Sequence, residues 1–545
     1  MVEKTDILKI KFAATHHYIA QLHFSDNNRY ITLFLLNQRI AMKYMKITTI
    51  LILGAFEYML GSSVEIRRKP DKIMKDSSGN NFFPEDFLFG VSTSAPQYEG
   101  AWNVNGRTPS IWDDMIHKNP KLVEDGSNLD VANDFYHKYK DDICLARSIG
   151  TQMFRLSLSW TRLLSGGFTN HVNSNGVQFY KNVIDKILAN GMIPMVTLFH
   201  WDLPIDMQKL GGLTNPLFVD WFEQYARFVF STFGDKVKFW MTIHEPNNLC
   251  YDGYSNESIL FINLSGIAGY LCIHHAILAH ARVYRLYERE FRTSQNGKVG
   301  YTISCNYPLP NSPSHEDVTA AERDYQWFVK GLLNPIFDST GDYPSIMKER
   351  IANYSRAQGF SISRLPSFTK KQIDDVRGSA DFLGINYYMN DILKASSANE
   401  ITNVSYTNDV GVDMVEPLQP KNTPWVFAKV LRLVNEDYHP IIYITGNGFP
   451  ESGLEDKNKV AYLRGHLAEV LKAIRNGVDI RGYLLWSLLD NFEWLHGYQW
   501  KYGLFYVDFN NSNLIRVPRL SARYIAHVYK TRRLDDALDV LDISN

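Results

Sequence analysis

The sequence predicts a single-domain α/β protein over residues 81–531, a parallel (β/α)8 barrel of the TIM type, and three observations carry that prediction. Eight short apolar runs recur from residue 87 onward, longer amphipathic segments separate them, and polar, aromatic or glycine residues stand at the runs' ends. In order, the runs are "FLFGVSTS" (87–94), "FRLSLSW" (154–160), "IPMVTLFH" (193–200) and "FWMTIHE" (239–245). They continue with "VGYTISC" (299–305), "FLGINYY" (382–388), "IIYITGN" (441–447) and "GYLLWSL" (482–488). Among the intervening segments, 178–191 and 218–234 read as helices and both end in glycine, a common helix stop. Residues 459–477 form another. A length of 545 residues is long for one domain, but α/β barrels often exceed the usual size as one unit. Active sites of such barrels lie where the strands' C-terminal ends emerge. Here those ends carry His200, Glu245, Tyr388 and Trp486, with Gly446 among them, a set that packing alone does not explain.

A formal net charge of −1 gives no electrostatic case for nucleic acid or an anionic membrane as partner, and "IRRKP" (66–70) reads as solvated surface. Residues 42–64 show two lysines, a short apolar run and then small residues, the order of a secretory signal peptide starting at Met42 or Met45. The run is too short to span a bilayer comfortably; the alternative is a buried amphipathic helix. Residues 1–41 are then expected to be a spurious or disordered upstream extension. Secretion agrees with sequons at Asn256, Asn263, Asn353, Asn403 and Asn510. Four cysteines, Cys144, Cys250, Cys272 and Cys305, permit at most two disulfides, select no pairing and do not match a zinc spacing. The tail, 532–545, holds nothing apolar enough to suggest a membrane anchor.

Several motifs resemble glycoside hydrolase family 1, the β-glucosidase-type, lactase-like and klotho-type proteins. They are "FLFGVSTSAPQYEGAW" (87–102), "SIWDD" (110–114), "FRLSLSWTRL" (154–163), "TLFHWDLP" (197–204), "AERDYQWFVKGLLNPIF" (321–337), "GDYPSIMKERI" (341–351) and "DFLGINYY" (381–388). The most specific is "GYLLWSLLDNFEWLHGY" (482–498). The resemblance implies a retaining glycosidase, which uses two carboxyl groups about 5 Å apart on opposite faces of the anomeric carbon. It makes Glu245, in "TIHEPN", the acid/base. It implies sugar contacts at Gln97, His200, Glu493 and Trp494, with Trp486 as a stacking platform. No cofactor or metal is implied, and the expected partner is a β-glycoside or sugar, with a protein partner if the chain is klotho-like.

The chain departs from the family pattern where it matters most. The nucleophile glutamate of an "ITENG"-like motif is replaced: this chain reads "ITGNG", with Gly446 at the nucleophile position. Arg155 and Tyr388, which in the family hold that carboxylate, are retained, and Arg155 is expected to leave a positive, vacant pocket. His244 replaces the asparagine that contacts the sugar 2-hydroxyl, and Pro96 replaces an aromatic or similar residue. Without a neighbouring anion, Glu245 is expected to be less often protonated at neutral pH. Three readings follow: a hydrolysis-impaired sugar- or partner-binding protein, an active glycosidase or transglycosylase using a substitute nucleophile such as Glu451, or a sequence error at codon 446.

Overall fold

A computed structural model of the chain describes residues 81–535, except 256–260, 263, 398–400 and 416–420. The readings of 1–41 and 42–64, the end of the tail, and the sequons at Asn256 and Asn263 lie outside the described residues.

All eight apolar runs form strands. They are β1 (Leu88–Ser92), β2 (Met153–Ser157), β3 (Ile193–Phe199), β4 (Phe239–His244), β5 (Lys298–Ser304), β6 (Phe382–Tyr387), β7 (Ile442–Asn447) and β8 (Ile480–Leu485). Each pairs in parallel with the next, and β8 pairs with β1, so the sheet closes. The run at 154–160 ends its strand at Ser157 because Trp160 starts a helical turn, Trp160–Leu163.

The barrel is a packed core at its N-terminal end. Met153, Met195, Met241, Phe382, Tyr443 and Leu484 form one buried cluster there, contributed by β2, β3, β4, β6, β7 and β8. Gly300 admits the bulk of this layer: a Cβ at that position would lie 2.3 Å from the Phe382 ring.

The three helices read from the sequence are present as Ser174–Ala189, Phe218–Phe233 and Lys457–Arg475. Helix Phe218–Phe233 buries Phe218, Phe222, Tyr225, Val229 and Phe233, the spacing of one helical face, and Trp160 stacks flat on Tyr225 at 4.3 Å. The two terminal glycines serve different ends. Gly191 takes the left-handed conformation (φ 70°) expected of a helix stop. Gly234 stays right-handed (φ −72°), and the Gln295 amide packs against it, so that a Cβ there would require that side chain to shift.

Cys250 and Cys272 form a disulfide with a Cα–Cα distance of 5.5 Å, and Cys144 and Cys305 are free. The bond joins helix Pro246–Tyr254, which starts immediately after Glu245, to helix Ala268–Glu290. It closes a loop between residues 22 apart. Replacing both cysteines by serine is expected to destabilise the fold by about 3 kcal/mol, from loop-closure entropy in the unfolded chain. Thermal unfolding reads this, and an unchanged midpoint would mean the staple contributes nothing. Asn353, Asn403 and Asn510 are all exposed. No helix among the described residues is long and apolar enough to cross a membrane.

Candidate active site

Strand β4 ends in a sharp turn at Glu245, whose backbone is left-handed (φ 40°) and whose N–H donates to the Thr302 carbonyl at 3.1 Å. That conformation costs a non-glycine residue about 1–2 kcal/mol, and Pro246 follows as the first residue of a helix. The turn leaves the Glu245 carboxyl buried. Asn386, on β6, donates from Nδ2 to Glu245 Oε1 at 2.5 Å. The Thr445 hydroxyl donates to Asn386 Oδ1 at 2.7 Å, which fixes the amide's orientation. Burial raises Glu245 from 4.5 to about 7, against the opposing pull of Asn386 and Arg155. Burial therefore supplies the raised pKa that a missing neighbouring anion no longer supplies.

Gly446 faces the same corner. It lies on β7 in register with Asn386, and a Cβ built there would meet the Tyr388 hydroxyl at 2.3 Å and Asn386 Oδ1 at 3.0 Å. A side chain at 446 would thus point at the amide that holds Glu245. The Tyr388 hydroxyl already stands in the way.

Arg155, on β2, is fully buried, and the pocket beside it is filled. Its Nη1 donates to the Thr445 carbonyl at 2.6 Å, its Nε to Thr197 Oγ1 at 3.4 Å, and its Nη2 to His244 Nδ1 at 2.7 Å. None of these partners carries a negative charge. The expected vacant pocket is corrected here: the guanidinium is engaged by the His244 imidazole, the Thr445 carbonyl and the Thr197 hydroxyl. Burial lowers Arg155 to about 10, still protonated at neutral pH.

His244 is held on every side. Its ring stacks on His200 at 3.6 Å and 22°, its carbonyl accepts from Trp201 Nε1 at 2.7 Å, and its Nε2 lies 3.6 Å from Glu245 Oε1. Burial, His200 and Arg155 push its pKa well below the usual histidine value, so it is neutral. His200 is driven the same way by burial and Arg155, and its Nδ1 has no hydrogen-bond partner.

The aromatic wall continues outward. His200 lies 6.4 Å from Trp486 and 6.1 Å from Trp494 in near-parallel planes, and Trp494 stacks on Trp201 at 4.8 Å. Trp486 Nε1 donates to Glu493 Oε2 at 3.4 Å. Burial, with the charge of Glu245 adding to it, raises Glu493 to about 8. Gln97 sits in the short helix after β1 with its amide engaged internally, donating to Asn491 Oδ1 and the Phe492 carbonyl and accepting from the Ser94 hydroxyl. It braces the loop that carries Glu493 and Trp494.

Every site residue read from the sequence therefore comes from the C-terminal end of the barrel. Glu451 does not join them: its carboxylate accepts from the Lys459 N–H at 2.7 Å and from Asn458 Nδ2 at 2.9 Å, at the start of helix Lys457–Arg475. Three residues escaped the sequence reading: Asn386, Thr445 and Trp201. Asn386 had a legible signal, since it stands two positions before Tyr388 in "FLGINYY" and is a polar residue in an otherwise buried strand.

Comparison with known proteins agrees with this architecture. The sequence profile of glycosyl hydrolase family 1 matches residues 79–534. Lactase/phlorizin hydrolase of Homo sapiens is 41% identical over 471 residues, covering 84% of this chain and 24% of the human protein, so the chain spans about a quarter of that relative. The structure of an aphid myrosinase superposes with a TM-score of 0.77 at 36% identity, covering 83% of this chain and 100% of the myrosinase. A family 1 β-glucosidase of the fungus Humicola insolens, solved in complex with glucose, superposes with a TM-score of 0.74 at 31% identity, covering 83% and 98%. With a family profile over most of its length and a closed eight-stranded barrel, the chain belongs to glycosyl hydrolase family 1.

Proposed function

We propose that this chain is a secreted family member that binds a β-glycoside or sugar and hydrolyses it slowly or not at all. One observation carries the reading: position 446 is glycine, and the two groups the family keeps for a carboxylate there have other occupations. Arg155 holds His244, and the Tyr388 hydroxyl fills the first position of any side chain at 446. A retaining mechanism needs a second carboxyl group about 5 Å from the first to form the covalent intermediate. Glu245 keeps the character of an acid/base, buried and raised to about 7. His200, His244, Trp486, Glu493 and Trp494 form the ligand shell, with indole faces for a sugar's C–H face and polar groups for its hydroxyls, and Gln97 braces the loop that carries the last two. The exposed sequons and the disulfide support an oxidising, extracytoplasmic setting. A protein partner on the same barrel, as in klotho-type relatives, is part of this reading.

Thermal unfolding with and without sugar tests it. Glucose or an aryl β-glucoside at 100 times its Kd stabilises a single-site binder by about 2.7 kcal/mol. The expected result is a concentration-dependent rise in midpoint with no release of the aryl group. A flat midpoint at all sugar concentrations would remove the binding role, and steady aryl release without additive would remove the loss of turnover.

A further inference from the structure

We propose that Arg155 has become a positioning residue that acts through His244: its guanidinium fixes the imidazole as the Nε2-protonated tautomer and so presents an N–H to the ligand space beside Glu245. The ligand half of this proposal rests on the sugar-binding reading above; the tautomer half does not.

The geometry leaves one assignment. A guanidinium has only donors, so the His244 Nδ1 at 2.7 Å from Arg155 Nη2 must be an acceptor and carry no proton. A neutral imidazole keeps one proton, which is then on Nε2. Nε2 lies 3.6 Å from Glu245 Oε1, too far for a good hydrogen bond and near enough that a hydroxyl oxygen seated beside Glu245 would receive it. The ring is held in place by the His200 ring stacked on it at 3.6 Å, and its backbone by the Trp201 bond to its carbonyl. Arg155 cannot turn away either, because Nη1 is held on the carbonyl of Thr445, which also accepts from the Ser92 hydroxyl. The titratable and charged groups around the ring are Arg155, His200 and Glu245, and the positive charge of Arg155 opposes any second proton. Arg155 itself is fully buried and reaches the ligand space only through His244. Arg155 Nη2 is thereby committed to the His244 imidazole, and the site has a fixed donor beside Glu245.

Long-range proton–nitrogen correlation spectra of the histidine rings test this on the native chain. They are expected to show His244 neutral with its proton on Nε2 from pH 5 to 8. A proton on Nδ1, or an imidazolium in that range, would overturn the proposal without any variant. Arg155→Met is then expected to leave His244 neutral, because burial and His200 still hold its pKa down, but to free the tautomer so that part of the population carries its proton on Nδ1, and to weaken sugar binding about tenfold, the loss of one hydrogen bond. Arg155→Lys, which keeps a donor and a positive charge, is expected to restore the Nε2-protonated tautomer. An unchanged His244 spectrum in Arg155→Met would show that the arginine does not set the tautomer. If the native chain binds no sugar, the binding reading fails while the spectra still decide the tautomer.

Discussion

An aryl β-glucoside with a nitrophenolate leaving group is expected to be turned over at least about 10,000-fold more slowly by this chain than by a glucosidase with both carboxylates, because removing a nucleophile costs that order of rate. Among the described residues, none of the nearby acidic or phenolic groups is expected to substitute for it. Glu451 is bonded to the start of helix Lys457–Arg475. Glu493, raised to about 8 by burial, is mostly the neutral acid at pH 7, which is a poor nucleophile. Burial and the charge of Glu245 push the Tyr388 hydroxyl well above the usual tyrosine value, so its phenolate is not available. Gly446→Glu meets its own obstacle, since its Cβ would land 2.3 Å from that hydroxyl and Tyr388 must swing aside. Steady-state release of nitrophenolate measures the rate; turnover within about tenfold of an intact enzyme would contradict the account.

Glu245→Gln is expected to stabilise the protein, by an amount that is absent below about pH 4.5, grows from there to pH 7 and is full above it. Glu245 rises from 4.5 to about 7 on folding, chiefly through burial. Below pH 4.5 the carboxyl is neutral in folded and unfolded chains and contributes no difference. Between 4.5 and 7 the folded state keeps a proton that the unfolded state has released, so stability falls as pH rises. Above 7 the penalty is complete, about 3 kcal/mol on the scale of 1.36 kcal/mol per pKa unit. Glutamine keeps the acceptor for Asn386 Nδ2 and carries no charge, so the variant escapes that penalty. Unfolding midpoints of the two proteins should coincide near pH 4.5 and separate by pH 8. A constant gap at both pH values would mean that burial does not set the Glu245 titration.

The barrel was legible because its strands are buried on both faces, which makes each an almost continuous apolar run rather than an alternation. The site was legible by position: residues just past such runs must emerge at the barrel's C-terminal end. What stayed hidden needed three-dimensional distances. Four cysteines allow several pairings, and only the packing of helix Pro246–Tyr254 on helix Ala268–Glu290 brings Cys250 to Cys272. Arg155 was read as a cation without a partner because its neighbour across the mouth, His244, is 89 residues away in sequence and on another strand. Gly234 shows the converse: the helix ends where the glycine predicts, yet its backbone stays right-handed and the Gln295 amide packs against it.

We propose above all that this site forms no covalent bond to sugar. Incubation with a 2-deoxy-2-fluoro glucoside carrying a dinitrophenolate leaving group, followed by intact-mass measurement, tests it most directly. Such a reagent reacts with a carboxylate nucleophile and leaves a slowly hydrolysed glycosyl ester. The expected result is an unchanged mass, with the same sugar still raising the unfolding midpoint. A mass increase of one fluoroglycosyl residue would contradict the account, and the modified peptide would name the residue standing in for Gly446.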